Sequence, residues 1–337
     1  MGRRLLGGAL AVLLCAATLD ALITGTSTES SADAAATYPD RRVSIMAPAD
    51  PGGGWDETAR ALQQTIRESD AAPGAEVYNV GGAGGTLGLS QLVSKERGEP
   101  YELMVMGLVM LGAVETNRSP VTLDEVTPIA GLTYEPEVIV VRDASPFRDL
   151  GDVVEALRRS PGGVSVGGGS AGGTDQLLLG QLAKAIGVEP SRTRYVAHSG
   201  GGEATAAILS GSVDVGISGV SEFNDQVRAG KMRVLAVSSG ERVEVGARPA
   251  PTMREQEVDV ELLNWRGIVA PPGISEAERT AIVRFVERVR ATPEWAANEK
   301  RFGWTRFDVS GDAFATLLDR EQRQVAQLVG ELGLADA

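Results

Sequence analysis

Pro48-Ala49-Asp50-Pro51-Gly52-Gly53-Gly54-Trp55-Asp56 is the stretch on which the reading of this chain turns. A strand-like run, Arg42-Val43-Ser44-Ile45-Met46, leads into it. A helical pattern leaves it, with Trp55, Ala59, Leu62 and Ile66 falling on one apolar face. A glycine-rich turn between strand and helix leaves backbone amides bare, because no Cβ covers them. Those amides sit at the positive end of the helix, so the turn is a candidate anion site. Two later stretches repeat the design: Gly81-Gly82-Ala83-Gly84-Gly85-Thr86 and Gly167-Gly168-Gly169-Ser170-Ala171-Gly172-Gly173-Thr174. Such loops are expected to converge on one small carboxylate.

Outward from this turn, strand and helix patterns alternate. Strands are predicted over 76–80, 102–106, 138–141, 164–166, 194–196, 213–217 and 234–237, with a returning strand over 265–270. Helical stripes run through Leu87, Leu89, Leu92 and Val93, then Leu150, Val153, Val154 and Leu157, then Leu178, Leu182 and Ile186. Another passes through Ala207, Ile208 and Leu209. The tail reads as helices carrying Ile282, Phe285, Val286 and Val289, and later Phe314, Leu317, Leu318, Val325, Leu328 and Leu332. Strands separated by helices imply parallel βαβ units. Two such sets and a helical tail suggest two α/β lobes.

With 337 residues, 43% of them hydrophobic and 23% charged, the chain can build ordinary cores and is not disordered wholesale. A net charge of −13 argues against nucleic-acid binding, which needs a basic face. The first residues read as a leader, with Arg3-Arg4 ahead of an apolar run over 5–14 and an A-x-A site at Ala32-Asp33-Ala34. An uncleaved membrane anchor is the alternative, and Cys15 is a weak lipidation candidate because Leu14 precedes it. Residues 1–37 are therefore set aside as leader and linker. Cys15 is the only cysteine, so the mature chain has no disulfide and no thiol nucleophile. One histidine and no mature cysteine disfavour zinc, and no cofactor is implied.

The third glycine stretch also matches two better-known patterns. Gly167–Gly172 fits G-x-G-x-x-G, but the strand after it ends at Val196-Ala197-His198 with no acid for a ribose. Gly168-Gly169-Ser170-Ala171-Gly172 fits the G-x-S-x-G elbow of hydrolases. Only Asp175 separates Ser170 from His198 as an aspartate, leaving little chain for an acid loop. Several residues keep two readings. Asp56 is a first-turn acid or an acceptor for the ligand. Thr174 is an N-cap or a carboxylate donor. Trp55 is core or cleft wall, and His198 is a loop residue or faces the ligand.

The ordered set of motifs resembles the substrate-binding proteins of tripartite tricarboxylate transporters, the Bug family. The 48–56 loop resembles their P-x-x-P-G-G-x-x-D turn, Gly82-Ala83-Gly84-Gly85-Thr86 their G-A-G-G-T, and the 168–174 loop their G-S-x-G-x-G-T. Val213-Asp214-Val215 and the Trp265–Gly273 return also correspond. The resemblance implies a two-lobed, periplasmic-binding-protein-like (type II) clamshell with a hinge and a ligand cleft between the lobes. It implies lobe I over 41–140 plus 259–337 and lobe II over 141–258. By position, the first loop contributes Ala49, Asp50, Gly53, Gly54, Trp55 and Asp56. The second contributes Ser170, Ala171, Gly173, Thr174 and Asp175. Other strand ends would add Gly107, His198, Ser199 and Ser218. The chain departs from the pattern at Ala171, His198 and Ser199, and at Leu108, where a polar residue is common. The function implied is that of an exported, monomeric binding protein, not an enzyme. It would capture a di- or tricarboxylate for a two-component membrane permease. A ligand sensor for a membrane kinase and an exported serine hydrolase are the alternatives.

Overall fold

The computed structural model describes residues 37–198 and 201–334; the leader, Cys15 and Ser199 lie outside them. The chain opens with β1 (Val43–Ala47), α1 (Gly54–Glu68), β2 (Ala75–Asn79), α2 (Thr86–Lys95) and β3 (Glu102–Gly107). The apolar stripe of α1 is buried at Trp55, Ala59, Leu62 and Ile66, as its spacing requires. In α2, Leu89 and Leu92 are buried, but Leu87 is 55% exposed and so leaves the expected stripe. Next come α3 (Leu108–Thr116) and a long strand, β4 (Thr127–Arg142).

A second α/β set follows. It consists of α4 (Leu150–Arg159), β5 (Ser165–Gly168), α5 (Thr174–Ala185), β6 (Arg194–Ala197), α6 (Gly201–Ser210), β7 (Val215–Gly219), α7 (Val220–Arg228) and β8 (Met232–Val237). A short ribbon, β9 (Glu244–Val245) with β10 (Arg248–Pro249), precedes the returning strand β11 (Leu263–Ala270). The tail holds α8 (Glu276–Arg290), α9 (Pro293–Phe302), β12 (Thr305–Arg306) and α10 (Gly311–Glu331).

The main strands pair in the order β2-β1-β3-β11-β4-β7-β5-β6. Each outer set is parallel, β1 with β2 and β3, and β5 with β6 and β7. Between them β11 and β4 run antiparallel. β4 pairs with β11 from Thr127 to Pro136, then with β7 and β8 from Glu137 onward. One strand thus passes from the first set to the second. The cores divide at the same place. One cluster gathers Ile45, Leu62, Leu103, Trp265, Phe285 and Phe314. Two others gather Ile139, Leu178 and Val215, and Val138, Ile208 and Phe223. The result is the expected two-lobed clamshell, with β4 passing from one set to the other.

Candidate functional site

Three glycine loops meet at one cavity of about 370 Å³. Lobe I contributes Pro48, Ala49, Asp50, Gly53, Gly54 and Trp55, together with residues 82–85 and Val109. The second set contributes Gly169, Ser170, Asp175, Ser218, Gly219 and Glu222, and β11 adds Asn264 and Arg266. The cavity therefore lies between the amino ends of α1 and α5, whose first-turn amides lack intrahelical acceptors. Close approach explains one glycine here. A Cβ on Gly54 would come within 2.7 Å of Arg266 Nη2.

Of the residues expected at the site, Ala49, Asp50, Gly53, Gly54, Trp55, Ser170, Asp175 and Ser218 line this cavity. Six others lie outside the lining. Asp56 turns its carboxylate inward, accepting from the Gly52 amide at 2.8 Å, Arg60 Nε at 2.9 Å and Asn79 Nδ2 at 2.9 Å. It ties the loop between β1 and α1 to the helix and to β2. Gly107 abuts the Trp265 carbonyl behind Trp55. Ala171 is exposed beside Gly172, which approaches α3. The Gly173 amide donates to the Ser170 carbonyl at 3.0 Å, and Thr174 is fully buried. His198 sets Nδ1 3.0 Å from the Gly168 carbonyl. No hydrogen bond joins it to Ser170 among the described residues, so the elbow pattern has no base.

Burial works against ionising Asp56, but bonds from Arg60, the Gly52 amide and Asn79 outweigh it and hold its pKa below the ordinary value. Asp56→Ala is expected to cost about 1–2 kcal/mol at neutral pH while changing affinity less than tenfold. A depressed carboxyl stabilises the fold above its unfolded pKa and loses that share as pH falls through the folded value. Melting curves of wild type and variant should therefore converge in acid.

The spacing of glycines gave no warning of the charges on the cavity floor. Arg266 Nη2 donates to Glu135 Oε1 at 2.6 Å, with the two side chains 6% and 0% exposed. Glu135 also accepts from Ser221 N at 3.1 Å, and Ser218 Oγ donates to Glu222. Asp175 accepts from the Gly169 amide at 2.6 Å. Burial, then the charge of Glu222, pushes the Asp175 pKa up to about 7. Burial likewise pushes Glu57 up to about 7, with Arg266 pulling the other way. Glu137 is raised well above the carboxylate range by burial, then by Asp175, Glu135 and Glu222. No cluster of His, Cys, Asp and Glu able to hold a metal occurs among the described residues. No described helix is long and apolar enough to cross a membrane.

The chain is similar to a protein of Pseudomonas sp. (strain P51), described as "UPF0065 protein in tcbD-tcbE intergenic region". They are 26% identical, over 92% of this chain and 91% of the relative. The fold of this chain is similar to that of MatC from Rhodopseudomonas palustris, solved with bound malate: TM-score 0.74, 24% identity, 87% of this chain and 100% of that one. A second R. palustris protein, solved with adipate, gives a TM-score of 0.76 at 20% identity, covering 88% of this chain and 98% of that one. The family model described as "Tripartite tricarboxylate transporter family receptor" matches residues 58–334. That match takes in the first α/β set from Thr58 onward, the whole of the second and most of the cavity's lining, and the chain belongs to this receptor family.

Proposed function

We propose that this receptor captures a small carboxylate of di- or tricarboxylate size and presents it to a two-component membrane permease. A member of this family is a receptor and not an enzyme. One observation carries the ligand reading: glycine loops from opposite lobes, each at a helix amino end, face a single cavity. Backbone amides there would bond the carboxylate, and charge-assisted bonds are strong in a desolvated cleft. Ala49, Asp50, Gly53, Gly54, Trp55, Ser170, Asp175 and Ser218 would surround it. A volume near 370 Å³ suits an acid the size of the malate or adipate held by the similar structures.

We place the lobe division near residues 136–141 and 258–263, where β4 changes partners and β11 begins. Closure would bend the chain there. Export by the leader and action as a monomer belong to the same proposal. The test is a thermal-melt titration of the purified protein with citrate, malate, succinate, adipate and amino-acid carboxylates. A true ligand at a hundredfold excess over its Kd stabilises by about 2.7 kcal/mol, which should raise the melting temperature by roughly 5 °C. No rise with any carboxylate would overturn the reading.

A further inference from the structure

The second α/β set carries another cavity, of about 440 Å³, that shares no residue with the cleft. It is lined by Met232 and Val234 of β8, by the end of α7, and by the β9–β10 ribbon with the residues just after it. β4 runs from Glu137, opposite the cleft residue Gly219, to Arg142, opposite Met232. The cavity therefore sits roughly 17 Å further along that strand than the cleft.

One edge of β8 is paired, and the other is open at this cavity. Arg142, Val141 and Val140 pair with Met232, Arg233 and Val234. The Asp143 amide donates to the Lys231 carbonyl at 3.0 Å, so Lys231 and, two residues on, Arg233 direct their peptide groups toward β4. Met232 and Val234 therefore direct theirs the other way, where no strand among the described residues pairs with them. The same edge is closed again just beyond. The Leu235 carbonyl accepts from Gln256 Nε2 at 2.9 Å, and the Val237 amide donates to the Pro251 carbonyl at 2.9 Å. Unpaired backbone groups along a sheet edge are a template for an added strand.

The lining fixes the charge of what could be added. Arg228, Arg233 and Arg248 stand there against one acid, Asp143, in a chain whose net charge is −13. Arg233 is already engaged, donating to the Phe147 and Asp143 carbonyls at 2.8 and 2.7 Å. Arg228 reaches Asp225 only at 3.6 Å, with both side chains mostly exposed, and such a pair holds weakly. Arg248 is exposed and makes no hydrogen bond or ion pair among the described residues. Two cations are thus open to an incoming group.

We propose that this groove docks an extended acidic segment of a partner protein, added to β8 as a short strand. The segment's backbone bonds the peptide groups of Met232 and Val234. Its acids meet Arg228 and Arg248, and its alternate side chains rest on Val227 and Val245. A small free anion would use the arginines and leave the strand edge unpaired. The proposal is independent of what the cleft holds.

The test is fluorescence anisotropy on the full chain with a labelled decapeptide alternating glutamate and valine. Beside it run a version with lysine for glutamate and versions N-methylated at alternate residues in either phase. The acidic peptide should bind, weaken as salt rises, and slow hydrogen exchange across Met232–Val237. N-methylation in one phase, which removes the added strand's donors, and Arg248→Glu should each lower its affinity about tenfold. Arg248→Glu should leave the melting temperature unchanged, because Arg248 has no partner to lose. Silence from the acidic peptide, equal binding of the lysine version, or indifference to N-methylation in both phases would each overturn the proposal. Full displacement by equimolar phosphate would overturn it in favour of a small-anion site. Self-association of the chain that Arg248→Glu abolishes would overturn it in favour of a second copy as the occupant.

Discussion

Arg266→Ala is expected to cost about 3–5 kcal/mol and to lower the melting temperature by on the order of 10 °C. The cost is set by what the substitution leaves behind. Glu135 is 0% exposed, and without the guanidinium its charge would keep only the Ser221 amide and hydroxyl, at 3.1 and 3.3 Å. An ion pair this deep contributes little net stability as a pair, because both ions lost their water to form it. Breaking it from one side strands the other charge in a medium that cannot solvate it. Arg266 also lies over the Trp304 ring at 5.6 Å and against Gly54, so packing is lost as well. The double variant Arg266→Ala with Glu135→Gln should recover a large part of the loss. A double variant whose loss is the sum of the single losses would show no coupling and sink the account. The deficit should grow as pH rises above about 7, where wild-type Glu57, raised to about 7 by burial, ionises, while the variant, without the cation that favours the charged form, holds the proton to higher pH.

That pair was invisible in the sequence for a plain reason. Glu135, Glu222 and Arg266 come from β4, α7 and β11, and only the fold brings them together. A signal did exist, since Arg266 interrupts the apolar run of β11, and Glu135 and Glu137 flank Pro136 just before four β-branched residues. A charge inside a buried strand needs a partner, although the sequence does not say which. The first half of β4 was missed because Pro128, Gly131 and Pro136 break any strand-like pattern, while its pairing with β11 tolerates two register shifts. Helix α3 was missed because it is apolar nearly all round, and an element without a polar face shows no 3.6-residue period. What was legible was local: the stripe of α1, the strand–glycine–helix units, and the convergence of their turns. Asp56 shows the limit of local reading. Its position in the first turn and its pairing with Arg60 one turn on are local, but its bond from Asn79 depends on β2 lying alongside α1.

Gly112→Ala is expected to weaken ligand binding about 5- to 150-fold with no loss of stability in the unliganded protein. The two lobes touch through a pair of glycines. A Cβ on Gly112, in α3, would stand 1.9 Å from the Gly172 carbonyl oxygen in the loop before α5. The obstacle is backbone, so no rotamer change can relieve it, and the lobes must part to admit the methyl. Gly172 is constrained from the other side, with φ +73° and a Cβ position 2.2 Å from Thr116 Oγ1. Overpacking of this kind costs about 1–3 kcal/mol, which is the fold-change stated. With the lobes parted the Gly172 carbonyl would be withdrawn from the methyl, and alanine favours a helix by about 1 kcal/mol over glycine, so the free protein should melt no lower than wild type. The penalty falls only on the state in which Gly53 and Gly54 approach Ser170, and a ligand that prefers that state loses affinity by the same amount. The titration described above reads both quantities. An unchanged ligand-induced rise in melting temperature would mean that binding does not require the Gly112–Gly172 contact, and that the cavity works without the two loops closing on it.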